Sequence, residues 1–119
     1  ALLRARLRMP HDAMHPGIRA VRDHISAVPE ERTSAAALAR RAGLAPSRFH
    51  QLFAQQVGHT PMRFQEECRM DRARRLLLSG ELPVAAIAEA CGYGDAFHFS
   101  ARFHKVVGCS PSAYRIRPR

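Results

Sequence analysis

A chain of 119 residues holds one domain or two very small ones, so any core must be small. Nineteen basic residues against ten acidic ones give a net charge of +9, and every basic residue except Lys105 is arginine. This surplus supplies salt-sensitive attraction to phosphate, yet it equally suits a membrane surface or a GC-rich genome; charge alone leaves these open. Cys68, Cys91 and Cys109 form no CxxC pair, which argues against a disulfide framework or a structural zinc site and for a reduced, cytoplasmic setting. No stretch approaches the ~20 apolar residues of a membrane span, and the amino end is too short and too charged for a secretory signal. No membrane partner is expected.

Residues 1–15 carry Arg4, Arg6 and Arg8 in a weak helical pattern broken by Pro10, and read as a linker remnant. The missing initiating Met adds the expectation of a fragment cut from something larger. From Pro16, Ile18, Val21, Ile25 and Val28 recur every three or four residues, which predicts a one-sided helix ending near Pro29. Ser34 can cap a short helix of alanines and Leu38 that stops at Gly43. Pro46 starts another helix, with Phe49, Leu52, Phe53 and Val57 on one face and Ser47, His50, Gln51 and Ala54 opposite. Thr60 and Pro61 open the longest run, which passes through Phe64, Cys68, Ala73, Leu76 and Leu77 and ends at Ser79 and Gly80. Its other faces carry Arg63, Arg69, Arg72, Arg74 and Arg75, as a linking helix would. Pro83 is expected to start a fifth helix bearing Val84, Ile87 and Ala88, closed by Gly92. Asp95 can cap a sixth, with Phe99, Phe103, Val106 and Val107 inward and Phe97, His98, Ala101, His104 and Lys105 outward. Ser110 and Pro111 start a last short helix containing Tyr114. No alternating run of strand length is present, so the fold class expected is all-α.

The same grammar occurs twice. LARRAGLAPSRFHQLFAQQVGHTP from Leu38 returns as IAEACGYGDAFHFSARFHKVVGCSP from Ile87, offset by 49 before the turn and by 50 after it. A helix-turn-helix unit needs a small residue where its helices approach and a glycine where the chain reverses. Ala39 with Gly43, and Ala88 with Gly92, meet that need. Each second helix then has an inward apolar stripe and an outward face free to enter a major groove.

With the central FQEECRM.RA..LL and the terminal G.SPSAYR, the chain resembles the DNA-binding domain of the AraC/XylS family of bacterial transcription regulators, over residues 16–115. The resemblance implies about seven helices in two helix-turn-helix subdomains, residues 16–60 and 80–119, joined by a long central linker helix over residues 61–79. At 1.5 Å per residue that helix would span ~27 Å, to be compared with the ~34 Å between major grooves on one face of a duplex. Two unlike readers, Pro46 to Val57 and Ala96 to Val107, would then enter adjacent grooves of a directional site.

Helical geometry and the family's positions together make Ser47, Arg48, His50 and Gln51 the candidate base contacts of the first reader. Gln51 stands out because an amide can bond adenine in a bidentate way. In the second reader the candidates are Phe97, His98, Ala101 and Arg102. Here the chain departs from the family's usual Ser-Arg: it has Ser100 and Ala101 before Arg102, so the arginine lies about 100° further round the helix. Phe97 and Ala101 would offer only apolar contact, for example to thymine methyl groups. More hydrogen-bond reading is therefore expected from the first copy. Phosphate holders are expected among Arg40, Arg41, Arg63, Arg72, Arg75, Lys105 and Arg115, with Arg102 a further possibility, while the resemblance implies a structural part for Arg69. Ala45 stands where a hydroxyl cap is usual.

His11 and His15 are spaced i, i+4, but Pro10 and Pro16 bracket a stretch too short for a rigid metal site, and no cofactor is expected. Glu66 and Glu67 are adjacent on a helix and point about 100° apart, unlike a catalytic pair. With no nucleophile elbow, phosphate loop or dinucleotide fingerprint, no enzyme is expected. The resemblance implies a cytoplasmic, nucleoid-associated DNA reader, working with RNA polymerase and with an N-terminal effector or dimerisation domain. A stand-alone small regulator, and a DNA-targeting module fused to an enzyme domain, remain as alternatives.

Overall fold

The computed structural model describes residue 10 and residues 13–116; the readings of Arg4, Arg6, Arg8 and His11 lie outside the described residues. Seven α-helices follow one another among the described residues, and no strand is present there. They are α1 (Pro16–Ala27), α2 (Ala35–Ala42), α3 (Pro46–Val57), α4 (Pro61–Ser79), α5 (Val84–Ala90), α6 (Ala96–Val107) and α7 (Pro111–Arg115). The chain divides at Glu66 and Glu67, inside α4, into two compact units.

In the first unit the apolar period of α1 buries Ile18, Val21 and Ile25. Pro16 fits the first turn of α1, where its missing N–H is no loss. The cap before it is His15, whose Nδ1 accepts the Gly17 N–H at 2.9 Å. The Ser34 hydroxyl caps α2 by accepting the Ala37 N–H at 3.1 Å. Gly43 ends that helix at φ 74, a conformation that costs glycine little, and Leu44 N–H closes the turn on the Ala39 carbonyl. Phe49, Phe53 and Phe64 pack as a chain of tilted and edge-on rings with centroids 5.6 and 5.8 Å apart. Gln65, the one buried polar side chain among the described residues, donates from Nε2 to the Glu31 carbonyl at 2.9 Å.

The second unit closes over Met70, Ala73, Leu77, Ile87, Phe99 and Phe103, all fully buried. The expected start of α5 shifts by one residue: Pro83 is the cap, in extended backbone, and the helix begins at Val84. Cys91 ends α5, and Gly92 at φ 91 reverses the chain so that Tyr93 N–H reaches the Ala88 carbonyl. Asp95 and Ser110 cap α6 and α7, accepting the N–H of His98 at 2.7 Å and of Ala113 at 3.1 Å. Val106 and Val107 are only half-buried, at the end of α6.

Glu31, in the loop between α1 and α2, accepts from the Thr33 hydroxyl at 2.9 Å and lies 2.8 Å from His24 Nε2 and 3.8 Å from Arg41. The His24 and Thr33 hydrogen bonds hold its carboxyl below the ordinary carboxylate range. A depressed carboxyl stabilises the fold above its unfolded pKa, and that contribution disappears as pH falls through the folded value. Thermal melts between about pH 6 and about pH 3 should therefore show wild type losing stability that Glu31→Gln never had. Parallel curves for the two proteins would contradict this coupling.

Candidate nucleic-acid interface

The outward face of α3 is built by subtraction. Phe49, Leu52, Phe53 and Val57 turn inward, which leaves Ser47, Arg48, His50 and Gln51 exposed on the other side; Ala54 is half-buried. These four carry a hydroxyl, a guanidinium, an imidazole and an amide, so the face can both donate and accept hydrogen bonds. Ala45 holds the cap position in extended backbone and makes no side-chain cap bond. Ala45→Ser should accordingly raise stability by about 1 kcal/mol. An unchanged or lowered melting midpoint would count against a missing cap.

On α6, Phe99 and Phe103 are buried, and Phe97, His98 and Ala101 are exposed. Phe97 is 90% exposed. The His98 ring meets Tyr93 edge-on at 5.5 Å, and Tyr93 lies under the Arg69 guanidinium at 5.4 Å and against Phe99 at 5.4 Å. Tyr93 thus positions His98, a part that only its place directly after the turn glycine hints at in the sequence. The Arg69 stacking agrees with the structural part implied for it. Arg102 is half-buried and engaged within the fold.

The expected phosphate holders separate into two groups. Arg40, Arg63, Arg75 and Lys105 are exposed; Arg41 is also exposed and reaches His24 Nε2 at 3.2 Å. Two others are half-buried and bonded to backbone. Arg72 donates to the Ala90 carbonyl at 3.1 Å, and Arg115 donates to the carbonyls of Leu77 and Leu82. Leu77 lies in the last turn of α4, where its carbonyl also accepts the Gly80 N–H at 3.2 Å and the negative end of the helix favours a cation.

Among the described residues, no group of three or more His, Cys, Asp or Glu side chains is arranged to hold a metal ion. His15, the described member of the spaced histidine pair, uses Nδ1 on Gly17. No described helix is long and apolar enough to cross a membrane. Cys91 is buried, whereas Cys68 and Cys109 are half-buried.

A family model described as a helix-turn-helix domain matches residues 38–117. The chain belongs to the AraC-type helix-turn-helix family. This AraC-type domain is 31% identical over 122 residues to the arabinose operon regulatory protein of Salmonella typhimurium, covering 96% of the chain and 42% of that relative. The chain therefore spans about two-fifths of the length of that relative. Among solved structures it is similar to the C-terminal domain of AraT, a response regulator of Geobacillus stearothermophilus, with TM-score 0.79, 32% identity and 84% of each chain covered. It is also similar to the DNA-binding domain of AdpA, a global transcriptional factor solved in complex with a target DNA. There the TM-score is 0.79 at 26% identity, over 83% of this chain and 89% of that one. The family is one of transcription regulators, and the chain is of its DNA-binding-domain type.

Proposed function

We propose that the chain binds double-stranded DNA sequence-specifically, as the C-terminal reader of a larger effector-responsive transcription regulator. The observation that carries this reading is the duplicated helix-turn-helix with an exposed, chemically varied face on each second helix. In this reading α3 and α6 each enter one of two adjacent major grooves, with Ser47, Arg48, His50 and Gln51 at base edges in one. Phe97, His98 and Ala101 are set at base edges in the other, with Arg102 beside them. Arg40, Arg41, Arg63, Arg75 and Lys105 hold phosphate, whereas Arg72 and Arg115 are assigned to the carbonyls they bond. The domain works without catalysis, in the bacterial cytoplasm at the nucleoid, and its further partners are RNA polymerase and an N-terminal effector or dimerisation domain. Support for a longer regulator comes from the length of the Salmonella relative.

Selection of bound duplexes from a random pool tests the proposal. The expected motif is asymmetric and longer than one helical turn. Gln51→Ala should weaken the selected site by about 1–3 kcal/mol and relax preference at one base pair, with little effect on random duplex. A motif shorter than one turn would remove the second groove from the reading. No recoverable motif would sink sequence-specific binding altogether.

A further inference from the structure

We propose that α6 reads the C5-methyl group of pyrimidines. Its half of the site is then marked by thymine, or by 5-methylcytosine in its place, more than by a hydrogen-bond pattern. The inference rests on α6 being a groove-facing helix, as proposed above.

The internal repeat supplies the comparison. Both α3 and α6 have twelve residues, and their inward pairs, Phe49 with Phe53 and Phe99 with Phe103, hold the same positions and are at most 1% exposed. The outward positions therefore correspond as well: Ser47 with Phe97, Arg48 with His98, Gln51 with Ala101. The first set carries a hydroxyl, a guanidinium and an amide. The second carries a phenyl ring, an imidazole and a methyl group.

Phe97 is the most exposed of the large hydrophobic residues described, at 90%. Ala101 lies one turn further along the same face. The acid at the start of this helix is not free to read bases, because the Asp95 carboxylate accepts the His98 backbone N–H at 2.7 Å. Hydrogen bonding from this stretch thus falls to the His98 ring, which packs against Tyr93 in a T-shaped arrangement, and to Arg102, which is half-buried and engaged within the fold. A major-groove base edge offers such a surface one apolar feature, the C5-methyl of thymine, which alanine and phenylalanine side chains contact. Cytosine lacks that methyl group and gains it on C5 methylation, while keeping its own pairing edge.

The test begins with a duplex selected from a random pool. Each thymidine is replaced singly by deoxyuridine, which removes the methyl group and nothing else. At one or more positions binding should weaken about fourfold, as burial of one methyl-sized group implies. The Phe97→Ser chain should bind parent and deoxyuridine duplexes equally, and a thermal melt should show it folded, since the ring it removes is exposed. At the sensitive position a 5-methylcytosine·guanine pair should bind more tightly than a cytosine·guanine pair. The inference is overturned if no deoxyuridine weakens binding, or if every deoxyuridine effect persists undiminished in both Phe97→Ser and Ala101→Ser. If deoxyuridine has no effect while Gln51→Ala still weakens the selected site, the methyl reading alone falls. If no sequence is selected at all, the DNA-reading proposal falls with it.

Discussion

Gly17→Ala should lower the stability of the first unit by about 3 kcal/mol, the scale of overpacking against atoms that cannot move aside. An alanine Cβ there would lie 2.1 Å from the Ala42 carbonyl oxygen and 2.9 Å from the carbonyl carbon. Both are backbone atoms of the last residue of α2, so relief requires shifting a whole helix. Urea denaturation followed by amide exchange at Phe49 and Phe53 measures the loss. An exposed control in the same helix, Ala20→Gly, should cost no more than about 1 kcal/mol. If Gly17→Ala costs as little as the control, the close approach of α1 to α2 is not a constraint.

Raising salt from about 50 to about 200 mM should weaken duplex binding by about 500-fold, if Arg40, Arg41, Arg63, Arg75 and Lys105 each neutralise one phosphate. The corresponding slope of log affinity on log salt is about −4.5. Arg63→Gln or Arg75→Gln should reduce its magnitude by about one. Arg72→Gln and Arg115→Gln should instead leave the slope unchanged and cost about 1–3 kcal/mol of stability, because each removes charge-assisted hydrogen bonding to backbone carbonyls. A slope reduced by one in Arg72→Gln would return that guanidinium to phosphate.

The helices and most of their caps were legible because their signals are local. Ile18, Val21 and Ile25 announce a face by spacing alone, and Ser34, Asp95 and Ser110 are oxygen-bearing residues three positions before the amides they cap. The His15 cap is not legible in the sequence because histidine is not a usual cap residue. The outward faces of α3 and α6 followed from the inward phenylalanines by subtraction. What the sequence left unsorted depends on long-range partners: the carbonyl that occupies Arg72 is 18 residues away, and those that occupy Arg115 are 38 and 33 residues away. Composition treats every arginine alike, and only the folded neighbourhood separates a guanidinium that braces the backbone from one left to solvent.

His15 does more than cap a helix. Its backbone N–H donates to the Gln56 side-chain oxygen at 2.9 Å, and Gln56 belongs to α3, while Met14 beside it is 3% exposed. The chain therefore enters the first unit through an anchor fastened to the back of the helix proposed to read bases. His15 is thus tied to α3 through the Gln56 side chain and to α1 through its own ring and carbonyl, so one residue couples the start of the unit to both helices. A displacement of the amino-terminal segment at His15 is therefore passed to the seating of α3 as well as to α1.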